Sequence, residues 1–367
     1  MVRKGWKCIF RTLKRFWLVI ALFVNIGLRI HAGTLKELAD KPKLSPGDQR
    51  AKSYAMQLPA TFIMIEPYHG LGNRLRAYGS AAALAKKTGR HLVVVWIPDP
   101  HVNATMPDLF DTTNIEVIDY PVASSLSLVF PEILWYDYNS RGGKDVKLRN
   151  SAPLPIYVRS AYVLQSETPV SEADISEEIL SLTPSREVFE HVHELEKVVA
   201  NIQTDLVGVH VRMNTDILTD VPGIQNIEKG SPASASHMGP VISERARCHY
   251  KAFIPRMKNV LEKNPSAKFF IASDSSCAII SLTSKFPGKV FSTDLNKLLM
   301  CEGINARGKT CLQISLSEFM VLGGRVSYLI VSEWSSASEL ILRLGAHQVP
   351  HESGCKPKTR SIFAFLG

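Results

Sequence analysis

Two kinds of hydrophobic spacing alternate along this chain, and their alternation predicts its elements. Thr61–Glu66 (TFIMIE) and Leu92–Trp96 (LVVVW) are short, continuous apolar runs, as expected for strands buried on both faces of a parallel sheet. Between them, Leu75, Tyr78, Ala82 and Ala85 recur at spacings of three and four, which predicts a helix over Asn73–Thr88 with Gly89 suited to its end. Strand, helix and strand read together as a βαβ unit. Ile115–Asp119 and Ile156–Val158 are weaker strands in a loop-rich region, and Arg186–Asn201 is helical. The second half repeats the theme. Strands are expected at Leu206–Val211, Lys268–Ala272, Val290–Ser292 and Tyr328–Val331. Helices are expected at 245–263, before Phe286, at Leu312–Leu322 and from about Ser336 to Leu344, with a polar loop at 214–243. No internal sequence repeat is visible. Two α/β halves of similar size suggest two Rossmann-like domains facing each other, 58–200 and 201–367.

The amino-terminal 57 residues have a different character. Residues 1–15 carry six basic side chains and no acid, and an uncharged stretch, Phe16–Leu28, follows. As a helix that stretch rises about 20 Å, short of the roughly 30 Å of a hydrocarbon core. Extended to residue 30, with Arg15 and Arg29 snorkelling, it suits a thin early-secretory bilayer. Residues 16–30 therefore fit an uncleaved signal anchor, with 1–15 as a basic cytosolic tail and the body in the Golgi or endoplasmic reticulum lumen. A secretory signal peptide cleaved after Ala32 fits too, but a fifteen-residue basic preface is long for one. A mitochondrial presequence is a further alternative, since the first acidic residue is Glu37. Residues 31–57 lack an apolar period and read as a stem or linker.

Composition then narrows the class. The chain has 367 residues, 45% of them hydrophobic, with 22 Gly and 21 Pro, which excludes a collagen-like or largely disordered polypeptide. Its net charge of +9 suggests a nucleic-acid or membrane partner at first sight. Setting the six leader cations aside leaves 37 Lys and Arg against 34 Asp and Glu, a net of +3 for the body. No basic stripe with interleaved aromatics remains, so nucleic acid is not an expected partner. Of six cysteines, Cys8 would face the cytosol, leaving the odd set Cys248, Cys277, Cys301, Cys311 and Cys355. Cys301 and Cys311 are close enough in sequence for a local disulfide. No CxxC spacing supports structural zinc.

Open α/β sheets bind ligands beyond the carboxyl ends of their strands, and four polar turns lie there. After the first strand comes His69-Gly70-Leu71-Gly72-Asn73-Arg74. Gly70 and Gly72 permit close backbone approach and the helix start favours an anion, although a tight turn capped by Asn73 is the plainer reading. It is neither a GxGxxG fingerprint nor a P-loop. The strand opening the second half leads into His210, Arg212, Asp216 and Asp220. Arg212 offers a planar fork for phosphate oxygens, and either Asp can accept a proton; an Arg–Asp pair bracing the loop is the alternative. After YLIV, Ser335, Ser336 and Ser338 open a helix, as phosphate ligands or plain caps. Asp274 and Ser275 follow another strand, where a carboxylate can hold a purine or ribose or cap the next helix. Together these turns suggest a diphosphate ligand. Asp99, flanked by Pro98 and Pro100, has no partner for a metal clamp. Neither a metal nor a cofactor is therefore expected, and Arg212 and the helix ends must neutralise the anion.

These residues resemble the GDP-fucose-dependent fucosyltransferase superfamily, which includes alpha-1,2-, alpha-1,6- and protein O-fucosyltransferases and the nodulation fucosyltransferase. HGLGNR at 69–74 resembles its amino-terminal G-x-G-N-[QR] turn, HVRMNTD at 210–216 its H-x-R motif, FFIASDS at 269–275 its second motif and SSASEL at 335–340 its third. The four occur in the family's order over about 270 residues. The resemblance implies a GT-B fold and inverting, metal-independent transfer of fucose from GDP-fucose to a hydroxyl of a glycan or glycoprotein. It also implies that Arg212 holds the β-phosphate, His210, Asp274 and Ser275 lie near guanosine, and Ser335, Ser336 and Ser338 lie near the diphosphate. Gly70, Gly72, Asn73 and Arg74 would approach the phosphates across the cleft, beside His69. Asp216 and Asp220 compete for the role of base. Met213 stands where alpha-1,6 enzymes carry a second Arg, which argues against that linkage. A GT-B transferase using another nucleotide sugar and a non-catalytic carbohydrate-binding descendant are the alternatives.

Overall fold

Two parallel sheets, each wound outward in both directions from its first strand, position everything that follows. The computed structural model describes residues 46–140, 147–202, 204–213, 247–345 and 349–355. The first sheet contains β1 (Phe62–Pro67), followed by α1 (Leu71–Thr88), then β2 (His91–Val95), β3 (Val117–Ile118), β4 (Leu134–Asp137) and β5 (Ile156–Ser160). Its order is β3-β2-β1-β5-β4, all parallel. Helices α2 (Glu172–Leu180) and α3 (Arg186–Ala200) lead onward to the second sheet. There β6 (Leu206–Val211), β7 (Lys268–Ser273), α4 (Ser276–Lys285), β8 (Val290–Phe291), α5 (Lys309–Gly324), β9 (Tyr328–Val331), α6 (Ser336–Arg343) and β10 (His351–Ser353) follow in turn. The order is β8-β7-β6-β9-β10, again all parallel. The middle strands β1 and β6 each have neighbours reached by winding in opposite directions, so a crevice opens at each carboxyl end.

The strands expected from continuous apolar runs are buried on both faces: β6 is buried throughout, and so is β1 except at Glu66. Gly89, with φ of 62°, ends α1 in the left-handed conformation. That helix starts at Leu71 rather than Asn73, and Gly70 is its cap. Residues 46–55, expected as linker, form a helix in which Ala51 and Ala55, four positions apart, are buried. Two alanines alone make too weak an apolar stripe to read from sequence, but their small side chains join the cluster around Phe62, Met64 and Val93. The helix expected over 245–263 is shorter: a 3-10 turn at Tyr250–Ala252 precedes Ile254–Lys263.

Residues Ala51–Gly367 form one compact unit, whose largest apolar cluster includes both Ile63 and Leu75 of the first half and Phe270 and Leu316 of the second. Helix α3 packs on α5. Ion pairs join the halves: Arg76 to Glu339 at 2.7 Å, Lys309 to Asp108 at 2.6 Å, and Arg343 to Glu172. Among the described residues, the cysteines resolve into the expected Cys301–Cys311 pair and a Cys248–Cys355 pair, leaving Cys277 free. The second pair closes a loop of 107 residues, worth roughly 4–5 kcal/mol in the chain-entropy account. No helix of the described residues is long and apolar enough to cross a membrane, and the apolar run 16–30 lies outside them.

Candidate functional site

The crevices of the two sheets open into one cleft. Gly70 and Gly72 line it from the first half, and Arg212, Asp274, Ser335 and Ser336 from the second. Four segments separated by up to 266 positions thus meet at the carboxyl ends of strands. The strand register accounts for the convergence in the second half. Val211 lies opposite Ser273, so the next residues, Arg212 and Asp274, leave adjacent strands side by side. His210 lies opposite Val331, which brings Ser332 under the same turn.

Arg212 is largely buried and its Nη1 sits 2.7 Å from Asp274 Oδ2. The other Asp274 oxygen accepts the Met213 N–H at 2.9 Å, and Ser332 Oγ accepts the Arg212 N–H at 2.8 Å. Asp274 thereby holds the guanidinium at the cleft from one side, while Ser332 fixes the Arg212 backbone from the other. An Arg–Asp pair thus forms with Asp274, from the neighbouring strand rather than from the loop that follows Arg212. Asp216 and Asp220 lie outside the described residues.

His210 occupies a different place from the one the motif implies. It is buried, and its Nδ1 lies 2.7 Å from Ser338 Oγ. Ser338 Oγ donates its single proton to the Ser332 carbonyl at 2.8 Å, so Nδ1 must be the donor to Ser338. Burial pushes the imidazole down to about 4, so it is neutral at physiological pH. The ring also meets Phe319 edge-on at 5.6 Å. His210 and Ser338 therefore do not line the cleft: they fasten the end of β6 to the first turn of α6. Ser335 caps that helix by accepting the Ser338 N–H at 3.4 Å, while lining the cleft.

Arg74 is corrected more sharply. Its side chain is 1% exposed and turned away from the cleft. Nε donates to the His69 carbonyl at 3.1 Å, Nη1 to the Ile97 carbonyl at 2.9 Å, and Nη2 meets Asp99 at 2.8 Å. The guanidinium also stacks on Trp96, 5.0 Å from the ring centroid. Asp99 is thus paired with Arg74, and Arg74 spends its donors bracing the turn after β1 rather than reaching a phosphate. His69 adopts a left-handed φ of 64° and packs edge-on against His101 at 5.3 Å; burial lowers its pKa. Neither His69 nor Asn73 lines the cleft, and Asn73 lies inside the first turn of α1 rather than at its cap.

Gly72 lines the cleft, yet its missing Cβ serves packing. A Cβ there would lie 2.1 Å from the Ser336 carbonyl oxygen, so α1 and α6 touch backbone to side-chain position. Gly70 has room: its Cβ would stand 3.7 Å from Arg307 Nη1. Ser275 caps α4 without a side-chain bond and is buried, whereas Ser276 lines the cleft and gives both its N–H and Oγ to Glu302, at 2.8 and 2.6 Å.

The remaining wall comprises the disulfide-closed segment 301–311 and one face of α5, including Ser315, Glu318 and Phe319. Glu318 is 3% exposed, accepts the Thr293 hydroxyl at 2.6 Å, and is raised by burial to about 8. It is therefore mostly a neutral acid at pH 7, able to donate as well as accept. Sequence reading missed the site roles of Glu302, Arg307 and Glu318. Glu318 alone left a trace, as the single charged residue inside the helical run 312–322. Among the described residues no cluster of three or more His, Cys, Asp or Glu side chains suits a metal ion.

No protein-family model matches the chain, and no curated protein sequence matches it. Among solved structures it is similar to fucosyltransferase NodZ from Bradyrhizobium, with 17% identity and a TM-score of 0.49, over 78% of this chain and 94% of that one. It is similar to NodZ alpha-1,6-fucosyltransferase soaked with GDP-fucose, with 17% identity and a TM-score of 0.47, over 78% and 93%. It is also similar to POFUT1 in complex with GDP-fucose, with 14% identity and a TM-score of 0.45, over 80% and 97%.

Proposed function

We propose that this chain is an inverting, metal-independent glycosyltransferase that moves fucose from GDP-fucose to a hydroxyl of a glycan or glycoprotein. The observation that carries the reading is the meeting of Gly70, Arg212, Asp274, Ser335 and Ser336 in one cleft at the carboxyl ends of two parallel sheets. The same turns carry the ordered fucosyltransferase-like motifs. In the reaction, the acceptor oxygen attacks the sugar's anomeric carbon from the face opposite the diphosphate. The bond to the β-phosphate oxygen breaks with its electron pair, and the acceptor proton passes to a base, for which Asp216 and Asp220 are the sequence candidates. Negative charge grows on the leaving GDP. Arg212, oriented by Asp274 and Ser332, and the first turn of α6 supply the matching positive potential.

The division into domains 58–200 and 201–367 and the membrane attachment through residues 16–30 belong to the same proposal. So does a type II orientation in the Golgi or endoplasmic reticulum. Two disulfides support an oxidising lumen. Calorimetry with GDP-fucose and UDP-sugars, followed by transfer to a panel of glycans and peptides, tests the reading. We expect GDP-fucose to bind and UDP-sugars not to. Preference for a UDP-sugar would replace fucose as the donor, and binding without turnover on any acceptor would make the chain a carbohydrate-binding descendant.

A further inference from the structure

The charge balance of the cleft points to a second cation. Arg212, the only basic residue the motifs provide there, is already paired with Asp274 at 2.7 Å, so part of its charge is spent within the protein. A nucleoside diphosphate-sugar brings a negative charge on each phosphate, and another develops as the sugar departs. Arg74 is buried against Asp99 and does not contribute. Arg307 lines the same cleft, and its Nη1 lies 3.7 Å from where a Cβ on Gly70 would stand. Gly70 caps α1 with no side chain of its own, so this guanidinium stands beside the start of the helix that follows β1.

Arg307 is also held in place from both sides. Its carbonyl accepts the Asn103 N–H at 2.9 Å, and Asn103 bridges to Gly308, which caps α5. The other end of the segment is fixed by the Cys301–Cys311 disulfide, both of whose cysteines line the cleft. In addition, Glu302 of this segment caps the first turn of α4 through Ser276. A short loop with this many restraints presents Arg307 at low entropic cost, which is what a planar guanidinium needs to meet phosphate oxygens.

Resting on the nucleotide-sugar reading above, we propose that Arg307, presented by the Cys301–Cys311 loop, is a second phosphate-binding cation that meets the diphosphate together with Arg212. The test is calorimetry of GDP, GMP and guanosine with the full chain, its Arg307→Ala and Arg307→Lys variants and a Cys301→Ser/Cys311→Ser variant. Arg307→Ala should weaken GDP roughly tenfold or more, as loss of a charged hydrogen bond does, and leave guanosine within about twofold. Arg307→Lys should recover part of the loss, since it restores charge without the fork. The double serine variant should weaken GDP more than guanosine. Equal losses for GDP and guanosine in Arg307→Ala would make the residue a structural brace and overturn the proposal, as would unchanged GDP affinity. A full chain that binds guanosine diphosphate no better than a uridine nucleotide would instead overturn the donor reading on which this rests.

Discussion

Substituting alanine for Gly72 separates the packing role of the first turn from the ligand role that its motif implies. The new methyl group would lie 2.1 Å from the Ser336 oxygen and 2.5 Å from its carbonyl carbon. An ordinary contact is nearer 3.4 Å, so α1 and α6 must part by roughly 1 Å, a forced repacking of the kind that costs about 1–3 kcal/mol. Alanine's better helix propensity returns at most about 1 kcal/mol. The Arg76–Glu339 pair, one turn along each helix, resists the separation. Gly70→Ala is the internal control: its Cβ meets only Arg307, at 3.7 Å, and its φ of −64° suits alanine. Thermal unfolding should show Gly72→Ala lowered by roughly 2–6 °C, on a scale of about 2–4 °C per kcal/mol for a large domain. Gly70→Ala should stay close to the parent. A displacement of this size at the site also predicts a fall in transfer rate of up to about 100-fold for Gly72→Ala. A Gly72→Ala protein with parental melting temperature and turnover would refute the reasoning, because the backbone contact would then not constrain the cleft.

Two further perturbations test the buried charges. Glu318 is raised to about 8 in the folded chain against 4.5 when unfolded. Between those values the folded state keeps a proton that the unfolded state has lost, so this group makes stability fall as pH rises through that window. Glu318→Gln mimics the protonated form and should match the parent near pH 5, then exceed it near pH 9 by up to about 5 kcal/mol. Parallel melting-temperature profiles from pH 5 to 9 would sink this assignment. Asp99→Ala strands the Arg74 guanidinium in the interior and should cost roughly 3 kcal/mol in urea unfolding. A loss below about 1 kcal/mol would mean that Arg74 finds another partner, the cleft anion included.

Much of the scaffold was legible because continuous apolar runs and three-to-four spacing report burial directly. The βαβ unit at 62–95 and the strands Leu206–Val211 and Tyr328–Val331 follow from that periodicity. The site was legible as turns but not as directions. Arg74 lies in the turn motif, yet its side chain folds under Trp96 because Asp99, 25 positions on, returns to the same point after β2. Nothing local encodes that return. His210 and Arg212 alternate correctly along the strand, but only the sheet register reveals that one meets Ser338 inside and the other Asp274 at the rim. Arg307 and Glu302 were invisible for the same reason. Their segment reads as a glycine-bearing loop until the disulfide and the Asn103 contact place it against the cleft.

Neutralisation of the leaving diphosphate of GDP-fucose by Arg212 is the step on which the proposed function depends. Its most direct test is single-turnover release of GDP from GDP-fucose by the full chain, by Arg212→Lys and by Arg212→Ala combined with Asp274→Asn, which removes the stranded carboxylate. The parent should release GDP. Both variants should melt within a few degrees of it and lose roughly 100-fold or more in rate, as loss of a transition-state charge partner does. A folded Arg212 variant that releases GDP at the parental rate would contradict the account.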